Sequence, residues 1–139
     1  MSDSIAATMS AAVTILAILF VFYTGLLVAR MRGVHDVKAP ATTGHIKFES
    51  AFRVQMNTLE QFVMFLPLLW IATAYFHMVG WLPAALGVVW IAGRVLYMQG
   101  YMQAPEKRSN GFLISIVATA GLLILSVIGI VQSWMALSA

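Results

Sequence analysis

The stretch Phe48-Glu49-Ser50-Ala51-Phe52-Arg53-Val54-Gln55-Met56-Asn57-Thr58-Leu59-Glu60 decides how this chain is read. It opens an apolar run that continues to about Phe76, yet it sets Glu49, Arg53, Asn57 and Glu60 at intervals of four, four and three. Those intervals place all four groups on one face of a helix. Ionisable side chains inside an apolar helix are costly and usually face a bundle interior or a water-filled cavity. A second stripe answers the first. Arg94, Tyr97 and Tyr101 are spaced by three and four, with Arg108 two turns further along, sharing that face if the helix continues past Pro105.

Composition says what surrounds these stripes. The 139 residues are 61% hydrophobic and 9% charged, and mean hydropathy is +0.90. A soluble domain carries roughly 25% charged residues, so this chain lacks the polar surface that water demands and fits a bilayer. The span from Ile5 to Ala29 has no ionisable side chain except Tyr23 and is long enough to cross. A polar segment follows from Arg30 to Lys47, then the apolar stretch from Phe48 to Phe76. His77 to Pro83 reads as a short turn, and a third helix runs from Pro83 to Gln103. Ala104 to Gly111 is a polar connection, and Phe112 to Leu137 is the fourth span. The expected fold is all-α, a four-transmembrane-helix bundle forming a single domain over residues 1–139. So small a bundle buries little between its own helices, and self-association is expected.

Orientation follows from Lys and Arg. Arg30, Arg32, Lys38 and Lys47 lie in the first connection and Lys107 and Arg108 in the third, with none in the second or in either tail. The positive-inside rule puts that side in the cytoplasm and both termini opposite. The N-terminal Met1-Ser2-Asp3-Ser4 has no basic region before the apolar run and reads as the start of a retained helix. At 1.5 Å per residue, Glu60, Asn57, Tyr97 and Tyr101 lie roughly 21–28 Å from the far ends of their helices. In an apolar core of about 30 Å, they converge at the cytoplasmic boundary. Arg94, at roughly 16 Å, falls near the midplane and must have a partner.

Several functions are excluded. With no cysteine there is no thiolate metal site and no protein thiol nucleophile, so thiol chemistry would bring its own sulfur. His35 and His45 lack metal-ligand spacing, and no metal is expected. Glycine-rich phosphate loops and Ser-His-Asp order are missing, and no nucleic-acid partner is expected. Simpler roles compete for individual residues. Arg30, Arg32 and Lys47 suit interfacial anchors, His77, Trp81 and the tyrosines an aromatic belt, Arg94 a buried ion pair, and Arg53 with Glu60 a packing network. Taken together, charge, amide and phenol on facing stripes suit a zwitterionic ligand with carboxylates and an ammonium.

The segment Phe48–Glu60 resembles the second-helix signature of the MAPEG family, membrane-associated proteins in eicosanoid and glutathione metabolism. Arg94-Val95-Leu96-Tyr97-Met98-Gln99-Gly100-Tyr101 is similar to the family's third-helix pattern, and Arg108 falls where family enzymes carry an arginine. The likeness runs from Arg30 to Arg108 and is nearest the microsomal glutathione transferase and leukotriene synthase branch. It implies a homotrimer with glutathione bound between subunits near the cytosolic face, as co-substrate and without a metal. By position, Arg53, Asn57, Glu60 and Tyr97 would hold glutathione, with Gln55, Arg30, Arg94 and Tyr101 contributing, and Arg108 would stabilise the thiolate. Ser50, Gln61 and Met31 depart from that branch's pattern. The implied activity is glutathione transfer to apolar electrophiles from the bilayer, with lipid hydroperoxide reduction alongside it, in a detoxification role and in the inner membrane if the source is bacterial. The alternatives are a noncatalytic lipid-binding or scaffold member of the same fold, and a small transporter.

Overall fold

The computed structural model describes residues 3–138 and bears out the four-helix bundle. Met1 and Ser2 of the N-terminal tail, and Ala139, lie outside the described residues. Helix α1 spans Asp3–Val34, α2 Ile46–Tyr75, α3 Leu82–Gln103 and α4 Ser109–Leu137, with a 3-10 turn at Pro105–Arg108 between the last two. No strand occurs among the described residues. Helices α1, α2 and α3 and the segment Pro105–Leu137 are each long and apolar enough to cross a membrane.

The ends of α1 and α4 differ from the sequence expectation, and the condition set for Arg108 is not met. Helix α1 does not stop at Ala29 but continues to Val34, carrying Arg30 and Arg32 on its last turns. Arginine is a good helix former, and a cation at a C-terminus complements the helix dipole. Helix α3 does not continue past Pro105. Ala104 is extended (φ −158°, ψ 136°), the conformation that a following proline imposes. Helix α4 then starts at Ser109, three residues early.

The loop between α1 and α2 is folded by residues expected to be mere anchors. Arg32 Nη1 donates to the carbonyls of Val37 and Ala41, each at 3.0 Å, while its guanidinium lies 4.5 Å from the Phe48 ring centroid. Lys47 Nζ donates to the carbonyls of Met102 and Gln103, so the start of α2 caps the end of α3. At the other end of the bundle, His77 Nδ1 lies 3.4 Å from the Asp3 carboxylate rather than serving as a belt residue alone.

The core is built from Val13 and Ala17 of α1, Phe65, Leu69 and Ala72 of α2, Trp90 of α3, and Ala118 and Leu122 of α4. Phe65 and Trp90 stack with centroids 4.1 Å apart. Where lipid is the surrounding medium, close packing and interhelical hydrogen bonds replace the hydrophobic drive. Ser10 and Thr73 share a 2.7 Å hydrogen bond between α1 and α2, and Ser126 Oγ donates to the Leu68 carbonyl, joining α4 to α2. Gly111 of α4 meets α3 so closely that a Cβ there would run into the backbone nitrogen of Tyr97. Large apolar side chains such as Ile15, Leu19, Phe22, Leu113, Val117 and Ile124 point outward.

The loop also contains a proton-sensitive contact. The His35 and His45 rings stack with centroids 3.5 Å apart and planes 11° from parallel. His45 Nδ1 accepts the Lys47 backbone N–H, which requires that nitrogen to be unprotonated. Desolvation in the stack, and then the charge of His45, lower the pKa of His35 from its ordinary 6.5. A group held below its ordinary value contributes stability above that value and loses it as pH falls. Amide exchange across residues 35–47, corrected for intrinsic rates, should therefore quicken as pH drops below 6.5. His35→Phe, which keeps the stack without the charge, should flatten that dependence. Equal pH sensitivity in parent and variant would remove His35 from the account.

Candidate functional site

Helix α2 presents its polar stripe to α3, and the two stripes enclose a cavity of about 160 Å³ at the Lys- and Arg-rich end of the bundle. Arg53, Met56, Asn57 and Glu60 of α2, Tyr97 and Tyr101 of α3, and Arg108 of the 3-10 turn line it. Six of these are residues singled out in the sequence, and one arrangement brings them together. Met56 was not singled out, because an apolar residue one position off the stripe gives no polar signal.

Arg94 stands behind this wall rather than in it. Its side chain is fully buried, and its Nη2 donates to Asn57 Oδ1 at 3.1 Å and Thr58 Oγ1 at 3.0 Å. The guanidinium lies 4.0 Å from the Tyr97 ring centroid, in cation–π range. No acidic group pairs with it among the described residues, and its Nε and Nη1 have no partner there. The partner that depth demanded is a set of neutral groups, so the buried ion pair considered from sequence is not formed. Thr58, missed in the sequence, sits one residue from the stripe; a buried arginine without a facing acid was the signal that such an acceptor was needed.

From Arg94 the order passes outward to the groups that line the cavity. Asn57 has its oxygen fixed by Arg94, which turns its amide Nδ2 toward Glu60 Oε2 at 3.4 Å. Tyr97, almost wholly buried, meets Tyr101 edge-on with centroids 5.6 Å apart. Arg108 closes the row, its guanidinium 5.4 Å from the Tyr101 centroid and its Nη1 donating to the Pro105 carbonyl at 2.8 Å. Although Arg108 is not on α3, the turn folds back and delivers it to the same cavity. Arg53 makes no hydrogen bond or ion pair among the described residues, so its charge faces the cavity uncommitted.

Arg30 and Gln55 are not brought to this cavity. Gln55 is two residues from both Arg53 and Asn57, hence on another face of α2, where its amide packs beside Gly25 of α1. Arg30 is exposed near the end of α1. Gln61 is buried and its Oε1 has no partner among the described residues. No cluster of three or more His, Asp or Glu side chains able to hold a metal occurs among the described residues.

A bundle of membrane-crossing helices with a cationic, phenol-lined pocket at one end defines a polytopic membrane protein. The sequence profile of the MAPEG family matches residues 10–128, and the chain belongs to that family as an integral multi-pass membrane protein. It is 40% identical to human microsomal glutathione S-transferase 2 over 125 residues, 90% of this chain and 84% of the relative. It is 35% identical to guinea-pig (Cavia porcellus) leukotriene C4 synthase over 139 residues, 100% of this chain and 90% of the relative. A Synechocystis protein of unassigned function is 46% identical over 102 residues, 73% of each chain.

The placement of Arg108 depends on Gly100. A Cβ at position 100 would collide with the carbonyl oxygen of Lys107 and come within 2.9 Å of its carbonyl carbon and 3.4 Å of the Arg108 nitrogen. Backbone atoms cannot swing aside as a side-chain tip can. Gly100→Ala should displace the turn and cost about 1–3 kcal/mol. A lower thermal midpoint in detergent and faster tryptic cleavage after Lys107 and Arg108 would report it. Parent-like values for both would show that the turn has room for a methyl group.

Proposed function

We propose that this protein is a glutathione transferase that joins the thiol of glutathione to apolar electrophiles drawn from the bilayer, and that it also reduces lipid hydroperoxides, two glutathiones giving the disulfide as the hydroperoxide becomes alcohol and water. The observation that carries this reading is the convergence of Arg53, Asn57, Glu60, Tyr97, Tyr101 and Arg108 on one cavity. Glutathione offers two carboxylates, one ammonium and one thiol. Arg53 suits a carboxylate, Glu60 suits the ammonium, and Arg108 suits the thiolate. The relatives named as glutathione transferase and leukotriene synthase support the same chemistry. An apolar groove of about 490 Å³ between α2 and α4, lined by Val63, Met64, Pro67 and Leu123 among others, begins one turn beyond Glu60 and suits the apolar partner. A ligand-facing Arg108 favours transfer over passive lipid binding.

The chemical step follows from charge. A free thiol has a pKa near 8.5, so only a few per cent is thiolate at neutral pH. A guanidinium keeps its charge and can favour the thiolate without exchanging protons. The thiol proton passes to water, the sulfur lone pair forms the bond to the electrophilic carbon, and the leaving group departs with that carbon's former bonding pair. Lowering the thiol pKa by about two units requires roughly 2.7 kcal/mol of preference for the anion. Arg108→Ala should retain most glutathione affinity through Arg53, Asn57 and Glu60. Its conjugation rate should fall about twentyfold or more near neutral pH as the thiolate fraction drops, and recover as pH rises. Ultraviolet thiolate absorbance on binding checks this; an unchanged signal and rate would assign thiol activation elsewhere.

Assembly completes the proposal. Arg30 and Gln55 lie on a different face from the cavity, so a site that uses them needs a neighbouring copy, and we take the assembly to be a homotrimer with its sites at the cytoplasmic face. Detergent-corrected mass should give three chains. An active monomer would overturn the shared site.

A further inference from the structure

We propose that the outer face of the Pro105–Arg108 turn is a binding site for a phospholipid with a primary ammonium headgroup, of the phosphatidylethanolamine class. Lys107 meets the phosphate and Glu106 the ammonium. The site is separate from the polar cavity between α2 and α3, and the inference does not rest on the glutathione reading.

A cleft of about 730 Å³ opens between α3, the turn and α4 at the Lys- and Arg-rich end of the bundle. It shares no lining residue with the α2–α3 cavity. Gln99 is two residues from both Tyr97 and Tyr101, hence on another face of α3. Gln99, Glu106, Lys107 and Asn110 form the polar rim of the cleft, and Leu96 and Ile114 its apolar floor. Leu96 lies roughly 21 Å, and Gln103 roughly 32 Å, from the start of α3 at Leu82. Against an apolar core of about 30 Å, the floor is level with acyl chains and the rim with headgroups. Val89, seven residues before Leu96, and Val117, three after Ile114, are both exposed, so each helix keeps an apolar outward face toward the far side.

Charge selects the headgroup. Lys107 is the one cation and Glu106 the one anion lining the cleft, so their charges cancel and match a net-neutral zwitterion. An anionic headgroup with no ammonium would meet a like charge at Glu106. The Glu106 carboxylate makes no hydrogen bond or ion pair among the described residues. Lys107 Nζ has only a 3.3 Å donation to the neutral Gln103 Oε1, a weaker partner than a charged phosphate oxygen. Ethanolamine is further set apart from choline. Glu106 and the amide oxygens of Gln99 and Asn110 are acceptors that an ammonium can use and a quaternary nitrogen, which has no N–H, cannot. The same four-residue turn sends Arg108 to the α2–α3 cavity and Glu106 and Lys107 to the cleft, so a seated headgroup braces that segment from behind.

The test is native mass spectrometry of the delipidated full chain in detergent, titrated with dioleoyl phosphatidylethanolamine, phosphatidylcholine and phosphatidylglycerol. The parent should bind the ethanolamine lipid at least about tenfold more tightly than either of the others. Glu106→Gln should abolish its preference over the choline lipid, and Lys107→Gln should weaken its binding about tenfold. Lys38→Gln removes an exposed cation outside the cleft and should change neither. Equal affinity of the parent for the three lipids, a preference for phosphatidylglycerol, or a preference that survives Glu106→Gln would overturn the site. The first two outcomes are read on the parent and decide even where a variant does not fold. Displacement of the lipid by an equal concentration of glycerophosphoethanolamine, which has no acyl chains, would assign the rim to a free phosphate ester instead. The chain has no cysteine, so a disulfide-linked dimer of Asn110→Cys in vesicles of the ethanolamine lipid would give this face to a second copy and likewise overturn the proposal. Glutathione conjugation is a separate assay, and none of these results decides it.

Discussion

A guanidinium held in the middle of an apolar bundle governs this structure. Arg94 is fully buried, and no carboxylate neutralises it among the described residues. An unpaired charge in such surroundings is tolerable only when neutral dipoles and a ring face substitute for water. Asn57, Thr58 and Tyr97 perform that substitution, and each is thereby fixed in place. Two of those three line the cavity. Solvation of one internal charge and orientation of the cavity wall are therefore the same set of contacts. The surplus positive charge behind the wall also favours anionic ligands, because it is screened little at that depth.

The second requirement is that the chain reverse direction without losing Arg108. Proline 105 stops α3, and a smooth continuation of that helix would have carried Arg108 away along its axis. Instead the 3-10 turn folds back over Gly100, and α4 descends against α3 at Gly111. Lys47 fastens the same end of α3 to the start of α2. The cationic end of the bundle is thus closed by backbone contacts and one long side chain, and the pocket lies between them.

The helices and most of the pocket were legible in the sequence for a simple reason. Polar residues at intervals of three and four inside an apolar run have one low-energy explanation, a shared face turned inward, and Arg53, Asn57, Glu60, Tyr97 and Tyr101 obey it. Less legible were features that no periodicity encodes. Arg32 and Lys47 read as surface anchors because sequence spacing does not show which carbonyls lie within reach of a long cation. Thr58 was invisible because a hydroxyl beside a stripe resembles any other helical threonine. The ion pair allowed for Arg94 gave way to neutral acceptors, an outcome set by the approach of α2 and α3 in three dimensions. Gln55 was grouped with its neighbours by resemblance, although helical geometry alone puts it on another face.

The contact between Gly111 and the Tyr97 backbone has a consequence for how such a pocket is filled. Two helices in backbone contact cannot slide past each other without a collision, so α3 and α4 form a stationary jaw. On the opposite side α2 carries Pro67 within its length, and Thr42 and Thr43 of the α1–α2 loop line the polar rim beside Arg53. The pocket is thereby bounded by a fixed wall on one side and by a proline-bearing helix and a loop on the other.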